Sequence, residues 1–232
     1  MSRLIPPRYY VIWRAYRTLR KSARRGEQEL KLLDYIVPRR NAVDIGANRG
    51  TYTYFLAKRC PRVYAYEPNP WMADFLRKAV PPHVDVRQLA LSDRKGRVNF
   101  VIPYNERQQF QHNVGSIDNL DGRAGETIEV EVRRIDDESL EDIGFMKIDV
   151  EGHEPTVIAS VRETIERDRP VMLIEILKFG ECAEANALVE TITAMDYECF
   201  YFNSDGLQHI SNRKPDDKGR NYLFFPKSAG LP

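Results

Sequence analysis

Cysteine is scarce in this 232-residue sequence, and what there is does not pair. Cys60, Cys182 and Cys199 stand far apart, with no C-x-x-C pair and an odd count. That excludes a disulfide framework and a cysteine-based zinc site, and makes a reducing, cytoplasmic setting the default. Long apolar runs are also missing: none approaches the roughly 20 residues that a membrane-spanning helix needs. No apolar core followed by a small-residue cleavage site marks a secretory leader, and there is no internal repeat or low-complexity segment. With 42% hydrophobic and 30% charged residues the chain has the composition of a folded globular protein. Its length suits one sizeable α/β domain with an appendage, and not two full catalytic domains.

The net charge of +1 conceals an asymmetry. Through Gly26 there are eight basic residues (Arg3, Arg8, Arg14, Arg17, Arg20, Lys21, Arg24 and Arg25) and no acid, leaving 27 basic against 34 acidic residues, or −7, in the remainder. In the same segment Ile5, Tyr9, Ile12, Trp13 and Tyr16 recur at helical offsets, with arginines expected on the other side. Residues 1–26 therefore read as a basic amphipathic helix, preceding a domain over 27–232. Two readings stay open: a surface that lies on anionic lipid at the inner membrane face or docks an acidic partner, or a helix packed on the domain with a solvated basic side. The −7 balance of the remaining chain offers no groove for a phosphate backbone, so no nucleic-acid partner is expected.

After a second helical stretch through Leu30, Leu33 and Ile36, the pattern changes to short apolar runs alternating with amphipathic helices, the signature of a parallel sheet wrapped by helices. Strands are expected at 42–45, 62–66, 84–91, 145–150 and 171–177, with 197–202 and 222–225 closing the sheet. Helices are expected over 51–58, from Pro70 through Ala79, from about Pro155 through Ile165, and through Ala187 to Met195. Runs 96–102 and 127–133 suggest an added hairpin, and the polar stretch from Pro103 to Gly125 between them reads as a long, variable loop.

The chemistry concentrates where the first strand turns into the first helix, at Val43-Asp44-Ile45-Gly46-Ala47-Asn48-Arg49-Gly50. In open α/β sheets ligands bind outside the carboxyl ends of the strands, so this turn is the expected mouth of a site. Gly46 and Gly50 are expected to let a ligand approach backbone, with Thr51 or Asn48 capping the helix. Glu67 follows the second strand 23 residues after Asp44, an acid suited to a pair of ribose hydroxyls. A nicotinamide oxidoreductase shares a glycine turn followed by an acid. Here the glycines are G-x-x-x-G and lack the G-x-G-x-x-G that brings backbone against a pyrophosphate, while Asp44 and Asp149 would repel it.

The runs VDIGANRGTYTYF (43–55), VYAYEPNP (63–70), QLALSD (88–93), FMKIDVEGHEPTVI (145–158) and RPVMLIEI (169–176) resemble, in order, the successive blocks of the FkbM-type methyltransferases. The resemblance covers Leu30 to Pro226. It implies a Rossmann-like class I methyltransferase fold: a seven-stranded, mostly parallel sheet with one antiparallel strand, helices on both faces, and S-adenosylmethionine as cofactor. By matching position it implies a cofactor loop of Asp44, Gly46, Ala47, Asn48, Gly50 and Thr51. It further implies Glu67 with Pro68 at the ribose, Ala90, Ser92 and Asp93 near the adenine, and Asp149 at the methyl-donor end. Members mostly methylate hydroxyls of sugars, glycolipids or polyketide-type products, so the expected acceptor is a saccharide, glycolipid or small molecule.

An alcohol nucleophile must lose a proton. His153 is the expected base, because it precedes a helix whose N-terminus disfavours the imidazolium form. Glu151 is the alternative base, or a residue shaping the turn, and His112 in the long loop is a further histidine within reach of an acceptor. Lys147 and Glu175, in buried-type strands, read equally as a structural ion pair or as catalytic groups. No metal is expected: Asp149 and Glu151 would point to opposite faces of an extended strand. The expected activity is O-methylation, and the alternative is a binding or scaffold protein that keeps fold and cofactor without turnover.

Overall fold

The computed structural model describes residues 6–22, 30, 33, 37–104, 115–117, 124–177, 179–203, 205–214, 217 and 220–229. Strands β1 (Asn41–Ile45), β2 (Val63–Tyr66) and β3 (Val84–Arg87) alternate with helices α2 (Thr51–Ala57) and α3 (Pro70–Arg77), and helix α1 (Pro7–Ser22) precedes them. Strand β8 (Ile143–Ile148) leads through helices α4 (Glu154–Ser160) and α5 (Arg162–Asp168) to β9 (Val171–Glu175), α6 (Ala183–Thr193) and β10 (Tyr197–Asn203). Strands β11 (Gly206–His209) and β12 (Asn221–Pro226) follow. The main sheet has the order β11-β10-β12-β9-β8-β1-β2-β3. Strands β3, β2, β1, β8 and β9 run parallel, and β12 runs antiparallel to both β9 and β10.

The central strands are buried on both faces, and their alternation sorts side chains into two cores. Val43, Ile45, Met146 and Ile148 point to the layer of α4 and α6, where Val157, Ile158, Leu188 and Ile192 meet them. Ala42, Phe145 and Leu173 point the other way, to Phe55, Leu56 and Leu76 of α2 and α3.

The class I methyltransferase arrangement holds, with local departures. The polar segment around Gly206 adds β11, which hairpins onto β10 as an eighth strand. The run expected as one strand over 84–91 is divided: β3 stays in the main sheet, whereas β4 (Ala90–Leu91) joins a second sheet, β4-β7-β5-β6. There the expected hairpin forms between β5 (Gly96–Pro103) and β7 (Gly125–Arg133). The stretch read as loop carries a two-residue strand, β6 (Ser116–Ile117), against Phe100 and Val101 of β5. The rest of it, 105–114 with His112 and 118–123, lies outside the described residues. The single helix expected through Ile165 breaks at Val161 (φ −124°). Its second half is capped from another segment, since Asp136 accepts from the backbone N–H groups of Glu163 and Thr164, both at 3.0 Å.

Helix α1 packs onto the domain. Val11 and Ala15 are buried, Arg49 Nη1 donates to the Tyr10 hydroxyl at 2.8 Å, and the Tyr10 ring meets Phe75 edge-on. The expected division of its faces needs correction. Tyr9, Ile12, Trp13 and Tyr16 form the exposed side, and Arg17 and Arg20 are exposed with them, while Arg14 turns toward the domain. Leu30 and Leu33 are buried as expected, but Ile36 lies outside the described residues. Among the described residues no helix is long and apolar enough to cross a membrane.

The crossing of β1 and β8 depends on Gly46. It has φ +75°, and a Cβ there would sit 1.9 Å from the Asp149 carbonyl oxygen. Gly46→Ala is expected to destabilise the chain by more than about 3 kcal/mol in urea unfolding, because left-handed strain adds to a backbone clash. Gly206→Ala, at φ +103° with nothing within 4 Å, should cost only about 1 to 2 kcal/mol.

Candidate active site

Two adjoining clefts open at the carboxyl ends of β1, β2, β8 and β9, where the chain leaves β1 to cover opposite sides of the sheet. They share Gly46, Asn48 and Asp149. The larger, about 780 Å³ and open to solvent, runs from Glu67 and Pro68 past Leu89, Ala90 and Leu91 to Glu151, His153 and Glu175, with Phe100, Gly115 and Ile117 of the second sheet region as its far wall. Its mixed polar and apolar lining suits a cofactor-like ligand. The smaller cleft is lined by Asp44, Ala47, Thr51, Tyr52 and Lys147, with Arg14 and Thr18 contributed by α1.

The β1–α2 turn is held by backbone. The N–H groups of Gly46 and Ala47 both donate to the Tyr66 carbonyl at 3.0 Å, which ties the end of β1 to that of β2. Glu67 extends this tie: Oε2 accepts from the Asn48 N–H at 2.7 Å and Oε1 from the Asn69 N–H at 2.9 Å. Each carboxylate oxygen retains a further lone pair for a hydroxyl donor. Glu67 is nevertheless only 6% exposed, and burial pushes its carboxyl up to about 7. Asp44, at 1% exposure, is raised by burial to about 6, even though the Thr53 hydroxyl donates to it.

The nearest buried cation is Lys147, placed beside Asp44 by the pairing of β1 with β8. Its Nζ lies 3.4 Å from Asp149 and over the Tyr52 ring at 5.1 Å. Burial opposes ionisation of Asp149, but Lys147 and a hydrogen bond with Glu175 outweigh it, so the Asp149 carboxyl lies below its ordinary range. Burial and Asp149 push Glu175 up to about 8. Two carboxyl groups hydrogen-bond to each other only when one carries a proton, and the proton resides on Glu175.

Most of the expected residues gather here, although several act differently than their positions in sequence suggested. Gly46, Asn48, Glu67, Pro68, Ala90, Asp149, Glu151 and His153 line the large cleft, and Asp44, Ala47 and Thr51 the small one. Gly50, Ser92 and Asp93 line neither. A Cβ on Gly50 would meet Leu76 at 2.6 Å, so that glycine serves the packing of α2 on α3. Ser92 is buried, and Asp93 is an exposed turn residue. Neither Thr51 nor Asn48 caps α2: the N-cap is Gly50, in left-handed conformation, and Thr51 Oγ1 instead accepts from Arg14 Nε at 3.3 Å. The turn after β8 is braced by Glu154, whose Oε1 accepts from the N–H of Gly152 at 3.1 Å, leaving Glu151 at the rim with φ 52°. Glu175 belongs to the site; its signal in the sequence was an acid ending an otherwise apolar strand.

A carboxyl raised in the folded chain keeps its proton at pH values where the unfolded chain has lost it. The folded state therefore binds more protons from the ordinary carboxylate range up to about 8, and stability falls as pH rises through that window. Urea unfolding without ligand should show a loss on the order of 2 kcal/mol between roughly pH 6 and 8, and Glu175→Gln should flatten much of that slope. A profile that is flat across this window would show that these carboxyl groups are already ionised in the folded chain.

Comparison with known proteins agrees with this architecture. The 2-O-methyltransferase NoeI of Sinorhizobium fredii is 31% identical over 144 residues, a match covering 55% of this chain and 59% of that protein. The crystal structure of methyltransferase FkbM from Methylobacillus flagellatus superposes with a TM-score of 0.56 at 18% identity, over 87% of this chain and 48% of that one. The chain thus spans only part of the length of the relatives it matches, and the second likeness speaks for the fold alone. The model of the methyltransferase FkbM domain matches residues 44–199, from the acid of the first strand through the sixth strand of the main sheet. The chain belongs to the FkbM methyltransferase family.

Proposed function

We propose that this chain transfers the methyl group of S-adenosylmethionine to a hydroxyl of a saccharide, glycolipid or other small-molecule acceptor. The observation that carries the reading is the set of carboxyl groups around the shared wall of the two clefts, Asp44 and Glu67 buried and Asp149 and Glu175 half-buried, with Lys147 as the buried cation among them. Such a set disfavours a pyrophosphate and suits a ligand that brings positive charge and hydroxyl donors. The bound donor supplies an electrophilic methyl group on a sulfonium. Glu67 takes the ribose hydroxyls on its open lone pairs, Tyr66, Leu89, Ala90 and Leu91 give the adenine an apolar seat, and Asp44 with Asp149 faces the cationic amino-acid end. The 2-O-methyltransferase relative supports an oxygen acceptor.

Alignment is the main demand of a methyl displacement, and holding two reactants in place is worth about 7 to 11 kcal/mol. Deprotonation of the hydroxyl falls to His153. Glu175 keeps its proton near neutral pH, Asp149 is bound to Lys147, and Glu151 lies at the solvent rim, whereas imidazole is the side-chain base suited to neutral pH. The histidine lines the large cleft at the start of α4.

Calorimetric titration tests the donor. S-Adenosylmethionine should bind with a Kd of order micromolar, NADH should not bind, and Glu67→Ala should weaken the donor by about 100-fold. Tighter binding of NADH, or a donor indifferent to Glu67, would sink the reading. Transfer of labelled methyl to a panel of saccharide and glycolipid hydroxyls tests the base: His153→Ala should lower kcat about 100-fold while donor affinity holds. An unchanged kcat would remove His153 from the mechanism.

A further inference from the structure

Helix α1 leaves its most apolar side in solvent. Tyr9 is 52% exposed, Trp13 50% and Ile12 36%, and at one-turn offsets they form a single stripe, with Tyr16, 43% exposed, at its edge where the ring also meets Tyr54 and Phe55 of α2. The helix is not free to roll and bury that stripe on its own domain. Its opposite side is fixed by buried Val11 and Ala15, by the Arg49–Tyr10 hydrogen bond and by Arg14 against Thr51. Basic groups are interleaved with the stripe: the Arg8 guanidinium stacks on the Tyr9 ring at 4.8 Å and that of Arg17 on the Trp13 ring at 4.9 Å, with Arg20 exposed nearby on the same side. On α3, Trp71 is 44% exposed and lies one turn from Phe75, the residue that touches Tyr10, so it extends the apolar surface beyond α1.

We propose that this face of α1 is a docking surface for an anionic lipid bilayer. The chemistry selects that occupant. Tyrosine and tryptophan suit the boundary between headgroups and acyl chains, and guanidinium groups at the same level pair with lipid phosphates. A segment with eight basic residues and no acid through Gly26 repels a second copy of itself, which disfavours self-docking through this face. A nucleic-acid backbone would satisfy the arginines but leave Ile12 and the aromatic stripe unused. The arrangement has a consequence for catalysis. Arg14 and Thr18, on the inner side of the same helix, line the small cleft, so docking through the outer side brings the site within about one helix diameter, roughly 10 Å, of the lipid. A hydroxyl on a lipid-linked acceptor is then within reach of the clefts.

The test is flotation of the full chain with phosphatidylcholine vesicles, with and without roughly a third phosphatidylglycerol. A Trp71→Phe background leaves Trp13 as the sole tryptophan and reports its emission. The chain should float with the anionic vesicles only, and Trp13 emission should shift to the blue. Trp13→Ala should weaken binding about tenfold, and Arg17→Glu with Arg20→Glu should abolish it. Arg97→Glu with Arg162→Glu, an equal charge change at exposed sites on β5 and α5, should leave it intact. Circular dichroism checks that the variants fold. No preference for anionic vesicles, binding that survives both α1 variants, or salt-labile capture without an emission shift would each overturn the proposal. The experiment needs no methyl donor, so its failure and a failure of the proposed activity are separate results.

Discussion

The approach of β1 to β8 at Gly46 is the constraint on which the rest of the site depends. With no side chain at this position the Asp149 carbonyl can close over the turn, and the positive φ of Gly46 sends the chain back toward β2, where Tyr66 accepts two N–H groups at once. Those contacts bring the ends of three strands together, and with them Asp44, Glu67 and Asp149. Any side chain at Gly46 would push β8 away and separate the acids. Asn48 and Glu151, both with left-handed backbone, flank the same crossing on the two strands. Backbone of that kind persists where surrounding structure holds it, and here it is held by the Glu67 and Glu154 carboxylates.

Burial raises the proton affinity of these acids, their neighbours add to it, and one lysine cannot offset all of them. Lys147 favours Asp149, its nearest neighbour, and the remaining strain shows as the raised carboxyl groups of Asp44, Glu67 and Glu175. This gives the proposed donor a physical role in stability as well as in catalysis: a cationic ligand offsets repulsion that the folded chain otherwise carries.

The sheet was largely legible because its strands are buried on both faces. Runs such as 171–174 have no polar residue to confuse, and the glycine turn and Glu67 stand at strand ends where open α/β sheets bind ligands. What escaped were features set by distant contacts. The division of the 84–91 run depends on β7 arriving from forty residues later to pair with Ala90 and Leu91. The break at Val161 follows from a cap supplied by Asp136, which no local pattern announces. Gly50 looked like part of a ligand loop because spacing cannot tell a glycine needed by a cofactor from one needed by Leu76. Glu175, which the sequence offered with Lys147 as a structural ion pair or as catalytic groups, bonds Asp149 instead once β9 lies beside β8, and Lys147 pairs with Asp149.

Helix α1 shows the same limit of periodicity most sharply. The large apolar residues of the segment left its orientation open; of the described members, Tyr9, Ile12 and Trp13 point outward, Tyr16 is half exposed while its ring meets Tyr54 and Phe55 of α2, and the buried contacts are those of Val11 and Ala15. Close packing explains the arrangement. A Cβ on Gly50 would meet Leu76 at 2.6 Å and stand 3.7 Å from Val11, so α1 approaches the domain beside a position without a side chain, and the small side chains of Val11 and Ala15 suit that approach. Tyr10 and Tyr16 flank this line and turn their rings to Phe75 and to Tyr54 and Phe55, which holds Arg14 against the small cleft and leaves Tyr9, Ile12 and Trp13 on the outer side.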